Sequence, residues 1–375
     1  MISSHKQKYQ KNHLFSGLAR VIDFFQSVIE SADSVLGTGD WINQDIHMAE
    51  SNIRLSFSSG LLQSLLGRSF QHLSHVSELP NDFTIKVWDS VSTGAQMPPP
   101  PWSNDDYLAR GEIRGFNNDR IRTVFNLGET AGLSMVDLQK GEALFWVRDA
   151  RSIPYYETGA PLRTIMNWWF TSHGFQVVHG GAVGTADGGV LLVGKGGSGK
   201  STSCLSCIGS TLKYAGDDYC IVTSNPSPHV YSMYQTAKLK GPRDLERFPD
   251  LAEFASNLDK MEKEKILFFL GEHAPEFLEP DFPLRAVLVP TVQKESNARI
   301  EPISRAAALH ALAPSSIFQN SGAAHSEFDA MSILVKTLPC FSLIAGENIS
   351  QIPLVIKNLL AELNIDDKSP LGEIV

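Results

Sequence analysis

Gly194-Lys195-Gly196-Gly197-Ser198-Gly199-Lys200-Ser201 holds the clearest chemical pattern in this chain, a glycine-rich stretch closed by a lysine and a hydroxyl. It satisfies G-x-x-x-x-G-K-[ST] at each fixed position. Glycines let the backbone approach a phosphate closely and turn successive N–H groups toward it. A helix starting at the end of the loop would aim its positive dipole end at the same group. Lys200 is then expected to bridge the β- and γ-phosphates of ATP or another nucleoside triphosphate, and the Ser201 hydroxyl to ligate Mg²⁺. Gly194, Gly196, Gly197, Ser198, Gly199 and Thr202 complete the expected nucleotide-binding set. Lys195 is an extra cation that can touch phosphate or stand in solvent.

Gly216-Asp217-Asp218 places two adjacent carboxylates shortly after the loop, Asp217 lying 17 positions beyond Lys200. One such acid can hold Mg²⁺, directly or through water, while the other accepts the proton of an attacking hydroxyl. The same tripeptide is also ordinary turn composition. His179 stands 15 positions before Gly194, between Val177-Val178 and Gly180-Gly181. Spacing alone leaves open whether a hairpin returns it toward the loop. Cys204 and Cys207 spell C-x-x-C, but inside the helix expected after the loop they read as small buried residues rather than a redox pair.

The elements that must position these residues are readable from periodicity. Val190 to Val193 is a short apolar run suited to a buried strand, residues 202–208 follow as a helix, and residues 212–215 as another short strand. Strand, glycine loop, helix is the order that phosphate binding requires. Further upstream, apolar residues from Leu14 to Ile29 recur at helical spacing after a polar start of 13 residues. Residues 53–57 and 83–88 alternate as half-buried strands, with a helix expected over 61–73 between them. Pro98 to Pro101 is an extended connector. Residues 122–127, 132–138 and 142–147 read as an antiparallel meander. The expected architecture is therefore an α+β / α/β chain, a β-rich α+β domain over 1–155 and a nucleotide-binding domain over 156–375. The first is expected to serve substrate recognition.

At 375 residues and 41.2 kDa, two domains also fit the length. A formal net charge of −9 disfavours nucleic acid and anionic membrane as partners. Four cysteines make no disulfide framework, and a cytoplasmic setting is expected. The basic start (Lys6, Lys8, Lys11) is followed by a stretch broken by Arg20 and Asp23, so no signal-peptide core forms. No apolar run reaches the roughly 20 residues of a membrane span. Oligomeric state stays open.

The set His179-Gly180, hairpin, Gly194 to Ser201, and Ala215-Gly216-Asp217-Asp218 resembles the catalytic domain of HPr serine kinase/phosphorylases. The likeness covers roughly residues 175–222, and the spacing between landmarks matches. It implies the fold shared with phosphoenolpyruvate carboxykinases, a mixed sheet around the loop rather than the parallel sheet of most P-loop proteins. It also implies His179, Asp217 and Asp218 as catalytic residues with Lys200 on phosphate, and Ser201, Asp217 and Asp218 around Mg²⁺. The Pro-Gly-Arg-Asn segment associated with phosphorolysis in the bifunctional enzymes is missing, so phosphorylase activity does not carry over. Residues 234–239 and 313–319 resemble recurrent pieces of stand-alone serine kinases from peptide-tailoring systems, including those acting on lasso-peptide precursors. The implied activity is Mg²⁺-assisted transfer of a γ-phosphoryl group to a serine or threonine hydroxyl on a peptide or small protein. A small-molecule kinase acting on a sugar or amino-acid hydroxyl would use the same parts. A nucleotide-binding regulatory protein that transfers nothing is the rival from another class.

Residues 241–284 carry eleven acidic and five basic residues, a net −6 of the chain's −9. They read either as solvated helix faces or as an acidic lip that attracts a basic peptide. Lys238, Arg243 and Lys265 are candidates for a second cation on the transferring phosphoryl group. Residues 286–290 read as a core strand, 304–312 as a helix and 354–363 as a closing helix with Pro353 in its first turn. Ser315, Ser316 and Gln319 can cap a helix or line a pocket.

Overall fold

The computed structural model describes residues 2–36, 41–127, 131–293, 297–317 and 325–368. The chain divides into two compact units: residues 1–68 with 74–172, and residues 69–73 with 173–375. Residues 318 and 319 of the expected 313–319 segment, Gln319 included, lie outside the described residues.

The first unit is built on six strands: β1 (Ile42–Met48), β2 (Ser51–Phe57), β3 (Phe83–Asp89), β4 (Ile121–Asn126), β5 (Gly132–Asp137) and β6 (Glu142–Val147). Their order is β1-β2-β3-β6-β5-β4. The pairs β2–β3 and β3–β6 are parallel and the rest antiparallel. The meander expected at β4–β5–β6 is present. A helix spanning Ile2–Leu36 lays Val21, Phe24, Phe25, Val28 and Ala32 into an aromatic core with Trp88 and Trp146. These positions recur every three or four residues, which is the helical stripe that burial requires. The helix therefore begins well before the expected Leu14.

Two expectations change in this unit. The helix expected over 61–73 breaks into one α turn, a wider turn over Gln63–Gly67 and a 3₁₀ segment over Arg68–Leu73. The cause is a contact from the sheet: Gln44 Nε2 on β1 donates to the Gly67 carbonyl at 3.1 Å, and the Phe57 ring lies against the same glycine. A side chain inserted into the ladder of a helix interrupts it. The domain boundary expected at 155/156 moves to 172/173, because the helix Arg163–Ser172 packs on the first sheet. Trp169 stacks on Phe83 with centroids 4.3 Å apart, and its indole N–H donates to Ser51 Oγ at 3.2 Å.

The second unit holds β7 (Gln176–Val178), β8 (Gly180–Thr185), β9 (Gly188–Val193), β10 (Lys213–Gly216), β11 (Cys220–Thr223), β12 (His229–Ser232), β13 (Thr236–Leu239), β14 (Ile266–Phe269), β15 (Asp281–Val292), β16 (Arg299–Pro302) and β17 (Cys340–Ala345). Nine of these form one mixed sheet, in which β9 pairs antiparallel with β8 and parallel with β15. β13 and β14 form a separate two-stranded ribbon. Alternation along β9 sends Val190 and Leu192 to one face and Leu191 and Val193 to the other. Both faces are covered, so β9 is apolar along its length. Cys204 and Cys207 belong to the first of these cores, buried as the helical reading expects. The helices Arg305–Ile317 and Ile352–Lys368 stand where helices are expected, each longer than the periodic stretch that announced it. Among the described residues, no helix is long and apolar enough to cross a membrane.

Candidate active site

The glycine loop leaves β9 at Val193 and closes on a helix that runs only from Lys200 to Leu205. The helix expected over 202–208 thus starts two residues earlier, and 206–208 are turns. A helix this short has a small dipole, so the loop's own N–H groups become its main means of meeting an anion. Gly197 (φ 81°) and Gly199 (φ 106°) adopt angles that L side chains avoid. Lys200 is buried, and its Nζ donates to the Gly194 carbonyl at 2.6 Å. Burial lowers its pKa, while the charges of Asp218 and Asp217 work the other way.

β10 delivers the two aspartates to the same place. Close approach is possible because Gly181 on β8 has no side chain: a Cβ there would press on Cys204 Sγ and come within 3.0 Å of the Asp217 Cα. Asp217 is 1% exposed. Its Oδ2 accepts the Lys238 backbone N–H at 3.1 Å, and its Oδ1 has no hydrogen-bond partner. Burial, reinforced by the neighbouring charge of Asp218, pushes its carboxyl up to about 6; the Lys238 N–H and the nearby Ser201 hydroxyl offset part of this.

Asp218 is treated in the opposite way. Its Oδ1 meets His179 Nε2 at 3.2 Å and its Oδ2 meets Lys238 Nζ at 2.6 Å. Burial alone would raise its carboxyl, but the Lys238 ammonium and the His179 hydrogen bond outweigh it and hold the acid well below the usual range. His179 sits in the step between β7 and β8, and its backbone N–H donates to Ser316 Oγ at 3.0 Å. Burial lowers the imidazole pKa below its ordinary value, against the opposing pull of Asp218. The hairpin therefore returns His179 to the aspartates, the point that spacing left open.

A cleft of about 530 Å³ gathers these groups. Its lining includes His179, Gly196, Gly197, Gly199, Lys200, Ser201, Thr202, Asp217 and Asp218. Gly194 and Ser198 do not line it; Ser198 Oγ turns back to within 2.7 Å of where a Gly194 Cβ would stand, and it is buried without a partner. Of the three cations considered for the transferring group, Lys238 is buried beside the aspartates, Lys265 lines the cleft from an exposed position, and Arg243 is exposed and outside the lining. Lys238 reaches the site through β13, twenty positions beyond Asp218, and only the pairing of that strand brings it there. Ser316 neither caps its helix nor lines the cleft: its hydroxyl accepts from His179 and donates to the Leu312 carbonyl.

Of the two readings of 241–284, the cleft lining fits solvated faces better than an acidic lip. From that segment only Asp244, Arg247 and Lys265 line the cleft, so its local contribution is one anion and two cations. A segment's net charge says nothing about which side chains face inward.

An Mg²⁺ ion fits the residues present. Asp217, whose Oδ1 is buried without a partner, lies near the Ser201 hydroxyl, and both side chains are hard oxygen donors. Among the described residues no group of three or more His, Cys, Asp or Glu could cage a metal. Magnesium commonly takes one or two protein ligands and completes its shell with phosphate and water.

No family model matches this chain, and no curated protein matches it. Among solved structures it is similar to the HPr(Ser) kinase/phosphatase from Coxiella burnetii, at 11% identity and a TM-score of 0.29. The overlap covers 52% of this chain and 99% of that one. A likeness this loose decides nothing about activity.

Proposed function

We propose that this chain is a phosphotransferase that moves the γ-phosphoryl group of ATP, or another nucleoside triphosphate, to a serine or threonine hydroxyl of a peptide or small protein. The observation that carries this reading is the division between two adjacent acids on one cleft. Asp217 is buried with an oxygen to spare beside Ser201; Asp218 is fixed as a carboxylate between His179 and Lys238.

In this reading the loop N–H groups receive the triphosphate, and Lys200 turns from the Gly194 carbonyl to the β- and γ-oxygens. Ser201 and Asp217 would hold Mg²⁺, which would supply charge neutralisation on the phosphate oxygens. The acceptor hydroxyl oxygen bonds to the γ-phosphorus as the bond to the β-phosphate oxygen breaks, and the nucleoside diphosphate leaves. Asp218 takes the hydroxyl proton. His179, neutral at pH 7, donates its Nε2–H to Asp218 and fixes the direction of the accepting oxygen. Lys238 keeps that acid ionised for the task.

The test is incubation with ATP and candidate peptide acceptors, read by mass spectrometry for added phosphate. Asp217→Asn combined with Asp218→Asn should abolish transfer while nucleotide still binds, and Lys200→Ala should weaken binding itself. Full transfer by the double variant would sink the assignment. Transfer to free sugars or amino acids but not to peptides would move the acceptor class, and tight nucleotide binding without turnover would favour a regulatory protein.

A further inference from the structure

Part of the cleft wall is basic although the segment that supplies most of it is the most acidic in the chain. Lys240, Arg247 and Lys265 line this wall against a single acid, Asp244. Topology explains their meeting. β13 and β14 pair antiparallel with Leu239 opposite Ile266, so Lys240 and Lys265 leave the same end of the ribbon side by side. The short helix Pro242–Leu245 then carries the chain to Arg247. All three cations are exposed, and among the described residues none of them is in an ion pair.

The other two cations of the cleft are already engaged: Lys238 pairs with Asp218, and Lys200 faces the loop. The lip shares its cleft with Asp218 and His179, the proton-accepting side of the reading above. We propose that this lip receives an acidic acceptor segment, a peptide whose serine or threonine has carboxylates close by in sequence. This rests on the phosphotransfer reading above. An acidic peptide is repelled by a chain of net charge −9 at most approaches. Over a Debye length of about 8 Å, however, only the local field counts, and a concave wall concentrates it. The three cations thus give one productive direction of approach on a surface that otherwise discourages it.

Fluorescence anisotropy with labelled peptides of equal length, their serine flanked by Glu, Gln or Lys, tests this without turnover. The intact chain should bind the Glu peptide on the order of tenfold more tightly than the Gln peptide at low salt, an advantage that shrinks as salt is raised. K240E/R247E/K265E should reverse the order in favour of the Lys peptide. K265E alone should move preference the same way by less, and serves if the triple variant does not fold. Equal binding of Glu and Gln peptides by the unaltered chain would overturn the proposal. So would a variant that loses ATP affinity and keeps its peptide preference, since the lip would then serve the nucleotide. A chain that prefers the Glu peptide yet never phosphorylates it upholds the lip and refutes phosphotransfer.

Discussion

Asp137 in the first unit and Asp217 in the second are both buried aspartates, 0% and 1% exposed, and their surroundings treat them in opposite ways. Arg120 donates to both oxygens of Asp137, with its shortest contact at 2.6 Å, and the N–H groups of Gln139 and Lys140 add two more bonds. Each acceptor direction there is used, and the result ties the start of β4 to the turn after β5. Asp217 receives one backbone N–H and keeps an oxygen with no partner. Burial is common to both, so burial does not distinguish structure from chemistry. An unfinished hydrogen-bond inventory does, because native interiors satisfy nearly all such groups and an exception calls for a ligand or a reaction.

The largest expected effect tests that distinction directly. Asp217→Asn should cut phosphotransfer by at least about 10²-fold, because it removes a charged ligand beside the phosphates. Asp137→Ala should leave the rate per folded molecule within about twofold, yet cost about 3 kcal/mol of stability by stranding Arg120. Activity assays and denaturant titrations on the two variants decide it. A rate loss in the Asp137 variant exceeding that of the Asp217 variant would break the comparison.

Lys238→Met comes next. With its main counter-charge gone, the Asp218 carboxyl moves up from its depressed position, so a larger fraction is protonated at mildly acidic pH. The acid limb of the pH–rate profile should shift to higher pH, with a rate loss of about 10-fold to 10²-fold at pH 7. Lys238→Arg should recover part of it. A uniform loss at all pH values would mean that Lys238 holds the strand rather than the proton acceptor.

These two predictions rest on residues that differ in how visible they are in the sequence. Lys200, Ser201, Asp217 and Asp218 are legible because glycine geometry and adjacent carboxylates are local properties, fixed within a few residues of chain. The helix stripe of Val21, Phe25, Val28 and Ala32 and the alternation of β2 and β3 are legible for the same reason. Lys238 is legible only as one of three candidate cations, since nothing near it in sequence announces that β13 runs beside Asp218. The 61–73 helix misleads because its breaker, Gln44, sits on another strand. The choice between solvated faces and an acidic lip is not legible because summed charge has no direction, whereas the ribbon places Lys265 and the short helix after it places Arg247.

A smaller effect sharpens the contrast through stability. The Asp217 carboxyl is raised to about 6 in the folded chain, against 3.8 for an unperturbed aspartate. A raised acid favours the folded state most when it is protonated, so its contribution is present at low pH and is lost as pH climbs through the folded value. In protein free of nucleotide and Mg²⁺, Asp217→Asn removes that dependence. The stability of the Asn variant relative to the unaltered chain should therefore grow from pH 4 to pH 7 by on the order of 2 kcal/mol. Thermal unfolding across that range reads it. A flat difference would mean that the carboxylate is less penalised by its surroundings than its burial implies.

The smallest effect comes from a pair of ion pairs with nearly equal lengths. Arg54 Nε stands 2.7 Å from Asp45 Oδ1 across β1 and β2, and Lys238 Nζ stands 2.6 Å from Asp218 Oδ2 in the cleft. Exposure separates them: the side chains are 40% and 33% exposed in the first pair, but 9% and 14% in the second. Water around the first pair screens the attraction and competes for both charges. Asp45→Asn should therefore cost no more than about 0.5 kcal/mol, and raising salt to about 1 M should erase most of that. Lys238→Met, by contrast, leaves a buried carboxylate uncompensated, a penalty that salt in the solvent cannot reach. Denaturation of the two variants at low and high salt compares them at fixed geometry. Equal and equally salt-sensitive losses would mean that the cleft is as wet as the sheet edge, and that Asp218 owes its low pKa to hydrogen bonds rather than to a nearby charge.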